Sequence, residues 1–287
     1  MRKILLSFGD KYLKKSKQRL LSQVEKLNFY TDIFIYDESN LNQEFVSKYS
    51  QHLKPEVKGF GYWCWKPQII KQVLDEMSEG DILHYLDLGC HLNSKGITRL
   101  HEYIEILKNS KGILGFDFSY PLDNKFFKHD GRKLFDWPEK YWTKIDLLKY
   151  FNADNDEILN SPQICATTIF FLKNSFTQNF VNNWVNTFKE NFNLIDDTPS
   201  NYKEKEGFIM HRYDQSIFSI LGKLNDISII SSYEIYYPDK HNIIKADWQA
   251  LENLPIHAKR DKDKGFYLNN KRRVKYYLNK IILWIKK

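Results

Sequence analysis

Residues Asp81 to Asn93 read "DILHYLDLGCHLN". The run from Ile82 to Leu86 is apolar and short, as for one buried strand. A single acid, Asp87, follows it, and Leu88-Gly89-Cys90 then signals a turn. A carboxylate at the exit of a buried strand is costly unless a neighbour or a ligand satisfies it. In open α/β sheets, ligands bind beyond the carboxyl ends of the strands. The stretch therefore suggests both a fold and the edge at which a site belongs.

The flanking segments alternate in the same style. "KILLSF" (Lys3–Phe8) reads as a buried strand, "GD" as a turn, and "KYLKKSKQRLLSQVEKL" (Lys11–Leu27) as a helix. "TDIFIYD" (Thr31–Asp37) is a second strand and "NLNQEFVSKYSQHL" (Asn40–Leu53) a second helix. A β-α-β-α opening implies parallel strands covered by helices. A glycine-aromatic loop then leads into a helix in "GFGYWCWKPQIIKQVLDEM" (Gly59–Met77), with Pro67 in its first turn, where a missing N–H costs nothing. Beyond Asn93 the pattern predicts helices over 95–109, 138–151, 175–192 and 211–224, and strands over 111–118, 163–173 and 226–231. Asp196–Gly207, polar and rich in turn formers, is expected to be a mobile loop. No internal repeat or interdomain linker is evident. The partition is one α/β domain over 1–258 with a mostly parallel sheet, and a tail over 259–287.

Of the 287 residues, 42% are hydrophobic and 28% charged, as in soluble globular proteins. No apolar run is long enough for a transmembrane helix, and the apolar part of "MRKILLSFGDKY" is too short for a signal peptide. Cys64, Cys90 and Cys165 lack C-x-x-C spacing, which points to a reducing cytosol without disulfides or zinc knuckles. The net charge of +7 is uneven. Residues 259–287 hold eleven Lys/Arg and two acids, leaving 32 basic and 34 acidic residues in the rest. A near-neutral body argues against a nucleic-acid partner, and a basic tail argues for a local electrostatic contact.

The helix beginning near Lys66 runs into the Asp87 strand, so its N-terminus should lie at the same sheet edge. A helix N-terminus with a lysine suits phosphate, and a carboxylate suits a divalent cation that phosphate also coordinates. Gly89 would leave room for a ligand close to the backbone. These residues fit a diphosphate with Mg²⁺ or Mn²⁺. The alternative is that Asp87 caps a turn and Lys66 is a solvated surface charge.

Four ordered blocks carry a resemblance: "FGYWCWKPQII" (Phe60–Ile70), "GDILHYLDLGC" (Gly80–Cys90), "EKYWTKIDLLKYF" (Glu139–Phe151) and "HRYDQSIFSIL" (His211–Leu221). The G-Y-W-x-W-K-P, Y-L-D-x-G-C and H-x-x-D-Q-S patterns resemble a bacterial family of nucleotide-sugar glycosyltransferases from surface-polysaccharide clusters. The likeness runs from about Lys3 to about Lys259. It implies a GT-A fold, a Rossmann-like sheet with the donor nucleotide at its carboxyl edge. Where that fold usually has Asp-x-Asp, this chain has Asp87-Leu88-Gly89. One carboxylate in place of two puts strong dependence on Mn²⁺ or Mg²⁺ in doubt.

The resemblance also implies roles. Ser7, Phe8 and Gly9 would line the nucleotide; Tyr62, Trp63 and Trp65 would wall the donor pocket; Lys66 would face the diphosphate. Asp87 would bind the metal or the donor's hydroxyls, with His257 as a second metal ligand. Lys259 and Arg260 would neutralise the leaving group, because charge accumulates there in the transition state. Asp214 is the candidate general base, or else only an N-terminal cap of its helix. Gln163 and Gln215 would bind the acceptor. Trp137, Trp142 and Trp184 are assigned to the core, and His84 and His91 to structural roles.

In "KRRVKYYLNKIILWIKK" (Lys271–Lys287), apolar residues from Val274 to Ile285 fall at spacings of three and four among Lys and Arg. That is a basic amphipathic helix of the kind that lies on a membrane surface. The expected enzyme is a cytoplasmic protein peripheral to the inner membrane. It would move a hexose from a UDP- or GDP-linked sugar to a lipid-linked glycan of lipopolysaccharide, O-antigen or capsule. The alternative is a degenerate transferase that binds nucleotide or carbohydrate without turnover.

Overall fold

The computed structural model describes residues 1–119, 137–236 and 251–261. The chain opens with β1 (Lys3–Phe8), α1 (Lys14–Leu27), β2 (Asp32–Tyr36), α2 (Gln43–Lys48) and the single turn α3 (Gly59–Tyr62), followed by α4 (Trp65–Asp75). Then come β3 (Ile82–Leu86), β4 (His91–Leu92), α5 (Ile97–Lys108) and β5 (Ile113–Asp117). Three short helices, α6 (Glu139–Trp142), α7 (Ile145–Tyr150) and α8 (Asp156–Asn160), precede β6 (Ile164–Leu172). The rest is α9 (Ser175–Glu190), α10 (Asp214–Leu224), β7 (Ser228–Ser231) and β8 (Ile256–His257).

Six strands form one sheet in the order β2-β1-β3-β6-β5-β7. β6 is antiparallel to both neighbours and every other pair is parallel. The α/β architecture expected from the alternating pattern is the one observed. Strand alternation explains the layering, because successive side chains point to opposite faces. Ile4, Leu6, Leu83 and Tyr85 lie in one cluster with α4, α9 and α10, including Ile69, Trp184 and Phe218. Leu5, Ile82 and Leu86 lie in the other, against Leu20 and Val24 of α1 and Leu100 and Leu107 of α5.

Where the elements stop, polar groups take over. Asn174 caps α9 in a reciprocal box with Thr177. Asn28 ends α1 in the left-handed conformation, which an asparagine adopts more readily than most residues. The helix expected over 138–151 is broken at Thr143 and Lys144. Both are extended there, and the Lys144 ammonium donates to the carbonyls of Asp196 (3.0 Å) and Thr198 (3.2 Å). The 196–207 loop is tied down by those bonds and by the Ile145 N–H on Glu204 (2.9 Å) and the Asn201 side chain on Asp146 (2.8 Å).

One feature was not legible: β4 and β8 pair antiparallel, His91 with His257 and Leu92 with Ile256. This ribbon returns the chain to the Asp87 turn. It is seated by Asn93, whose amide donates to the Glu252 and Leu254 carbonyls at 2.7 and 3.0 Å. The basic segment 268–287 lies outside the described residues. Among the described residues, no helix is long and apolar enough to cross a membrane.

Candidate functional site

The carboxyl ends of the parallel strands and the start of β6 share one edge of the sheet, and Asp87 leaves β3 there. Its N–H donates to Thr167 O at 2.9 Å, and Tyr85 donates its hydroxyl to Oδ1 at 2.7 Å. Lys66, in the first turn of α4, reaches the same point. Its Nζ lies 3.7 Å from Asp87 Oδ1 and 2.8 Å from Asp214 Oδ2, and donates to Ala166 O at 3.0 Å. That carbonyl is turned out of the ladder where the β5–β6 register slips between Leu114 and Phe116. Lysine and both carboxylates thus meet, although they come from three distant parts of the chain.

Exposure separates the two acids. Side-chain exposure is 5% for Lys66 and Asp214 but 30% for Asp87. Burial pushes the Asp214 carboxyl up to about 6; the Lys66 ammonium opposes this and the Asp87 charge adds to it. Burial pulls Lys66 down, yet Asp214 and Asp87 outweigh it and leave the lysine above its ordinary value. The ammonium approaches Asp214 Oδ2 closely but off the hydrogen-bond axis, so that buried oxygen has charge compensation and no aligned donor. Asp214, expected as the base for an acceptor hydroxyl, is sequestered with Lys66, and of the two carboxylates Asp87 is the one open to solvent.

Strained backbone delivers these groups. Gly59, Phe60, Gly61, Tyr62 and Trp63 all have positive φ, from 54° to 89°. For three bulky residues in one run this is unfavourable, and such strain persists only where the surroundings enforce it. Tyr213, immediately before Asp214, has φ 57° as well. The two strained segments pack together, with Tyr213 5.3 Å from Tyr62 and stacked 5.6 Å from Trp63 by ring centroids. Lys58 ties them further through a hydrogen bond to the Tyr213 hydroxyl and an ion pair with Asp197 at 3.7 Å. Tyr62 and Trp63 are half-buried at this junction, whereas Trp65 is buried, stacked on Phe8 at 3.9 Å and bonded through Nε1 to Gly59 O at 2.9 Å.

A buried polar network fixes the start of α10. Glu139 accepts from Gln163 (3.1 Å), Ser219 (2.5 Å), Thr143 and Lys223. Gln215 donates to Gln163 Oε1 at 2.7 Å and accepts from Ala166 N–H at 3.3 Å. Gln163 and Gln215 were expected to bind an acceptor. Both are buried and bonded to each other, within the network around the start of α10.

Other expectations change for equally local reasons. Ser7 is fully buried and gives its hydroxyl to Leu86 O at 2.7 Å, which joins β1 to β3 and leaves nothing for a nucleotide. A Cβ on Gly9 would lie 2.3 Å from Leu88 Cδ2, so a larger residue there would have to displace the buried Leu88 side chain. At Gly89 a Cβ would come within 3.2 Å of Arg260 Cα, and Asp261 N–H donates to Gly89 O at 3.0 Å. The space predicted for a ligand is filled by the returning chain. That return places Arg260, and Lys259 before it, beside the Asp87 turn. His84 is buried between Tyr30 (2.5 Å) and Thr168 (2.7 Å), and His91 bridges Gln23 and Asp261, both structural as expected.

The donor set does not suit a divalent cation. Asp87 already faces an ammonium, whose charge a metal would oppose, and its Oδ1 accepts from Tyr85. His257 donates its Nε2–H to Leu251 O at 2.9 Å. Among the described residues, no three His, Cys, Asp or Glu side chains are placed to hold a metal ion.

Two groups were missed or misassigned. Trp184 is core, but Trp137 and Trp142 are half-buried and stacked on each other at 4.0 Å. Over them sits the guanidinium of Arg212, 5.2 and 5.9 Å from the two ring centroids. Arg212 stands inside the "HRYDQS" block. Its place two residues before a buried aspartate at a helix start was the available signal.

No protein-family model matches the chain, and no curated protein matches it. Among solved structures, it is similar to a glycosyltransferase involved in glycosylation of the major capsid of the virus PBCV-1. That match has a TM-score of 0.46 and 12% identity, covering 92% of this chain and 99% of the other. It is similar to mouse xyloside xylosyltransferase 1, with a TM-score of 0.46 and 12% identity over 90% and 97% of the two chains. A galactosyltransferase solved with donor and acceptor sugar analogues matches at a TM-score of 0.41 and 8% identity, over 88% of this chain and 86% of the other.

Proposed function

We propose that this protein is a GT-A glycosyltransferase that moves a hexose from a UDP- or GDP-linked sugar to a hydroxyl of a lipid-linked surface glycan. One observation carries the proposal: Lys66, Asp87 and Asp214 converge at the carboxyl edge of the sheet, where open α/β folds bind ligands, with Asp87 facing solvent. All three residues fall in the sequence blocks that resemble the glycosyltransferase family. A buried ion pair at a ligand-binding edge, held by strained backbone, is expensive to build, which favours a functional role over a chance surface acid.

In the proposed reaction an acceptor oxygen forms a bond to the anomeric carbon while the bond from that carbon to the diphosphate oxygen breaks. The electron pair stays on the diphosphate. The acceptor proton passes to a carboxylate, and of Asp87 and Asp214 only Asp87 is open to receive it. Before that step, Asp87 accepts hydrogen bonds from sugar hydroxyls. Asp214 keeps Lys66 charged and in place, and Lys66 in turn orients Asp87. Tyr62 and Trp63 offer ring faces beside this point. No step requires a divalent cation, consistent with the donor set around Asp87. The basic segment 268–287 would hold the enzyme on the cytoplasmic face of the membrane that carries its acceptor.

A thermal-shift panel of nucleotide sugars with the full chain tests the assignment. A UDP- or GDP-linked sugar should raise Tm, and Asp87→Ala should abolish most of the rise. Equal stabilisation of both proteins removes Asp87 from the site. A donor that binds but is neither transferred nor hydrolysed would favour the non-catalytic binding alternative.

A further inference from the structure

Arg212 is held rigidly at both ends. Its backbone N–H donates to Trp142 O and Ser216 Oγ, each at 3.1 Å. Its guanidinium lies over the Trp137–Trp142 stack. Cation–π contact fixes the orientation of such a group without cancelling its charge. Among the described residues, no carboxylate forms a contact ion pair with it; Asp214 acts on it only from a longer range, which leaves the guanidinium N–H groups without an anion bound to them. Burial, and next the positive charge of Arg260, lower its pKa, so a second arginine stands within electrostatic reach.

Arg260 is anchored as well. Its backbone rests on Gly89, where a Cβ would meet it at 3.2 Å. Arg19 grips the same turn, donating to Leu88 O at 2.6 Å, Cys90 O at 2.7 Å and Asp261 O at 3.3 Å. Two arginines from distant parts of the sequence are therefore brought within electrostatic reach of each other. One is two residues from Asp214, and the other packs on the glycine two residues from Asp87.

We propose that Arg212 and Arg260 bind the diphosphate of the donor and stabilise the charge that develops on it, in the place of a divalent cation. Identification of the anion rests on the glycosyl-transfer function proposed above. When the bond from the anomeric carbon to the diphosphate breaks, the electron pair remains on oxygen, and the guanidinium N–H groups hydrogen-bond that oxygen without giving up a proton. Arginine suits this task because it stays protonated and presents a planar fork of donors to phosphate.

Titration calorimetry of inorganic pyrophosphate into the full chain, in buffer containing EDTA, tests the site. Wild type should bind, Arg212→Gln should weaken binding about tenfold or more, and Arg212→Lys and Arg260→Gln should fall between. Binding seen only after Mn²⁺ replaces EDTA overturns the proposal, as does Arg212→Gln binding within about twofold of wild type, a range smaller than one charged hydrogen bond. If Arg212→Gln does not fold, Arg212→Lys and Arg260→Gln decide by the same criterion. Pyrophosphate binding through Arg212 without turnover of any nucleotide sugar keeps this inference and removes the proposed function. Sugar transfer that requires Mn²⁺ does the reverse.

Discussion

Replacing Lys66 by methionine keeps most of the side-chain volume and removes the charge in direct contact with Asp214. The ammonium sits 2.8 Å from one carboxylate and 3.7 Å from the other, in a position 5% exposed. Removing one partner of a buried ion pair costs about 3–5 kcal/mol, because the remaining charge is stranded. The chain can escape only by protonating Asp214, and for a carboxylate of ordinary pKa that costs at most about 5 kcal/mol near pH 7.5. A sign follows from this. An acid whose folded pKa lies above its unfolded value contributes stability that is present at low pH and lost as pH rises through the folded pKa. In wild type the Asp214 carboxyl, at about 6, has finished titrating by pH 8. In Lys66→Met the pKa rises further and the loss continues upward. Urea unfolding should therefore show a deficit of about 3–5 kcal/mol at pH 8 that narrows by about 2 kcal/mol at pH 6.5. Adding Asp214→Asn should restore much of the loss. A deficit under about 1 kcal/mol, the scale of an exposed pair, or one that does not change with pH, refutes the buried-pair argument.

Two further perturbations address the frame around the site. Burial holds His84 neutral, down to about 3, between Tyr30 and Thr168. A depressed folded pKa contributes stability above the unfolded value that is lost as pH falls, so from pH 6.5 to 5 wild type should lose about 2 kcal/mol relative to His84→Gln; parallel urea curves for the two proteins would contradict this. At Gly96 a Cβ would lie 2.3 Å from Pro255 N and 2.4 Å from Leu254 C, both backbone atoms that cannot rotate away. Gly96→Ala should cost roughly 1–3 kcal/mol and loosen the ribbon that carries Arg260, seen as a lower Tm with weaker pyrophosphate binding; an unchanged Tm would mean the ribbon is not seated as described.

Much of the frame was legible because strands announce themselves by apolar runs, and Ile82–Leu86 with its terminal acid did so clearly. The convergence of Lys66 and Asp87 followed from topology, since α4 runs directly into β3. Asp214 as the lysine's main partner was not readable, because nothing local at a helix start tells a capping acid from one aimed into the core. Gln163 and Gln215 looked like ligand-binding amides for the same reason: a buried polar network has the composition of a binding site. Gly89 was read correctly as a point of close approach, but pattern could not say that the visitor is Arg260. That contact depends on the two-residue pairing of β4 with β8, too short to leave a periodic signal.

The most direct measurement is nucleoside diphosphate release from UDP- and GDP-linked sugars, with acceptor glycan present, by wild type and Asp87→Asn at matched folded concentration. Wild type should turn over at least one donor, and the variant, which keeps the shape but not the charge, should be slower by roughly a hundredfold or more. Equal rates in the two proteins, or no release by wild type from any donor, would contradict glycosyl transfer at the Lys66–Asp87–Asp214 edge.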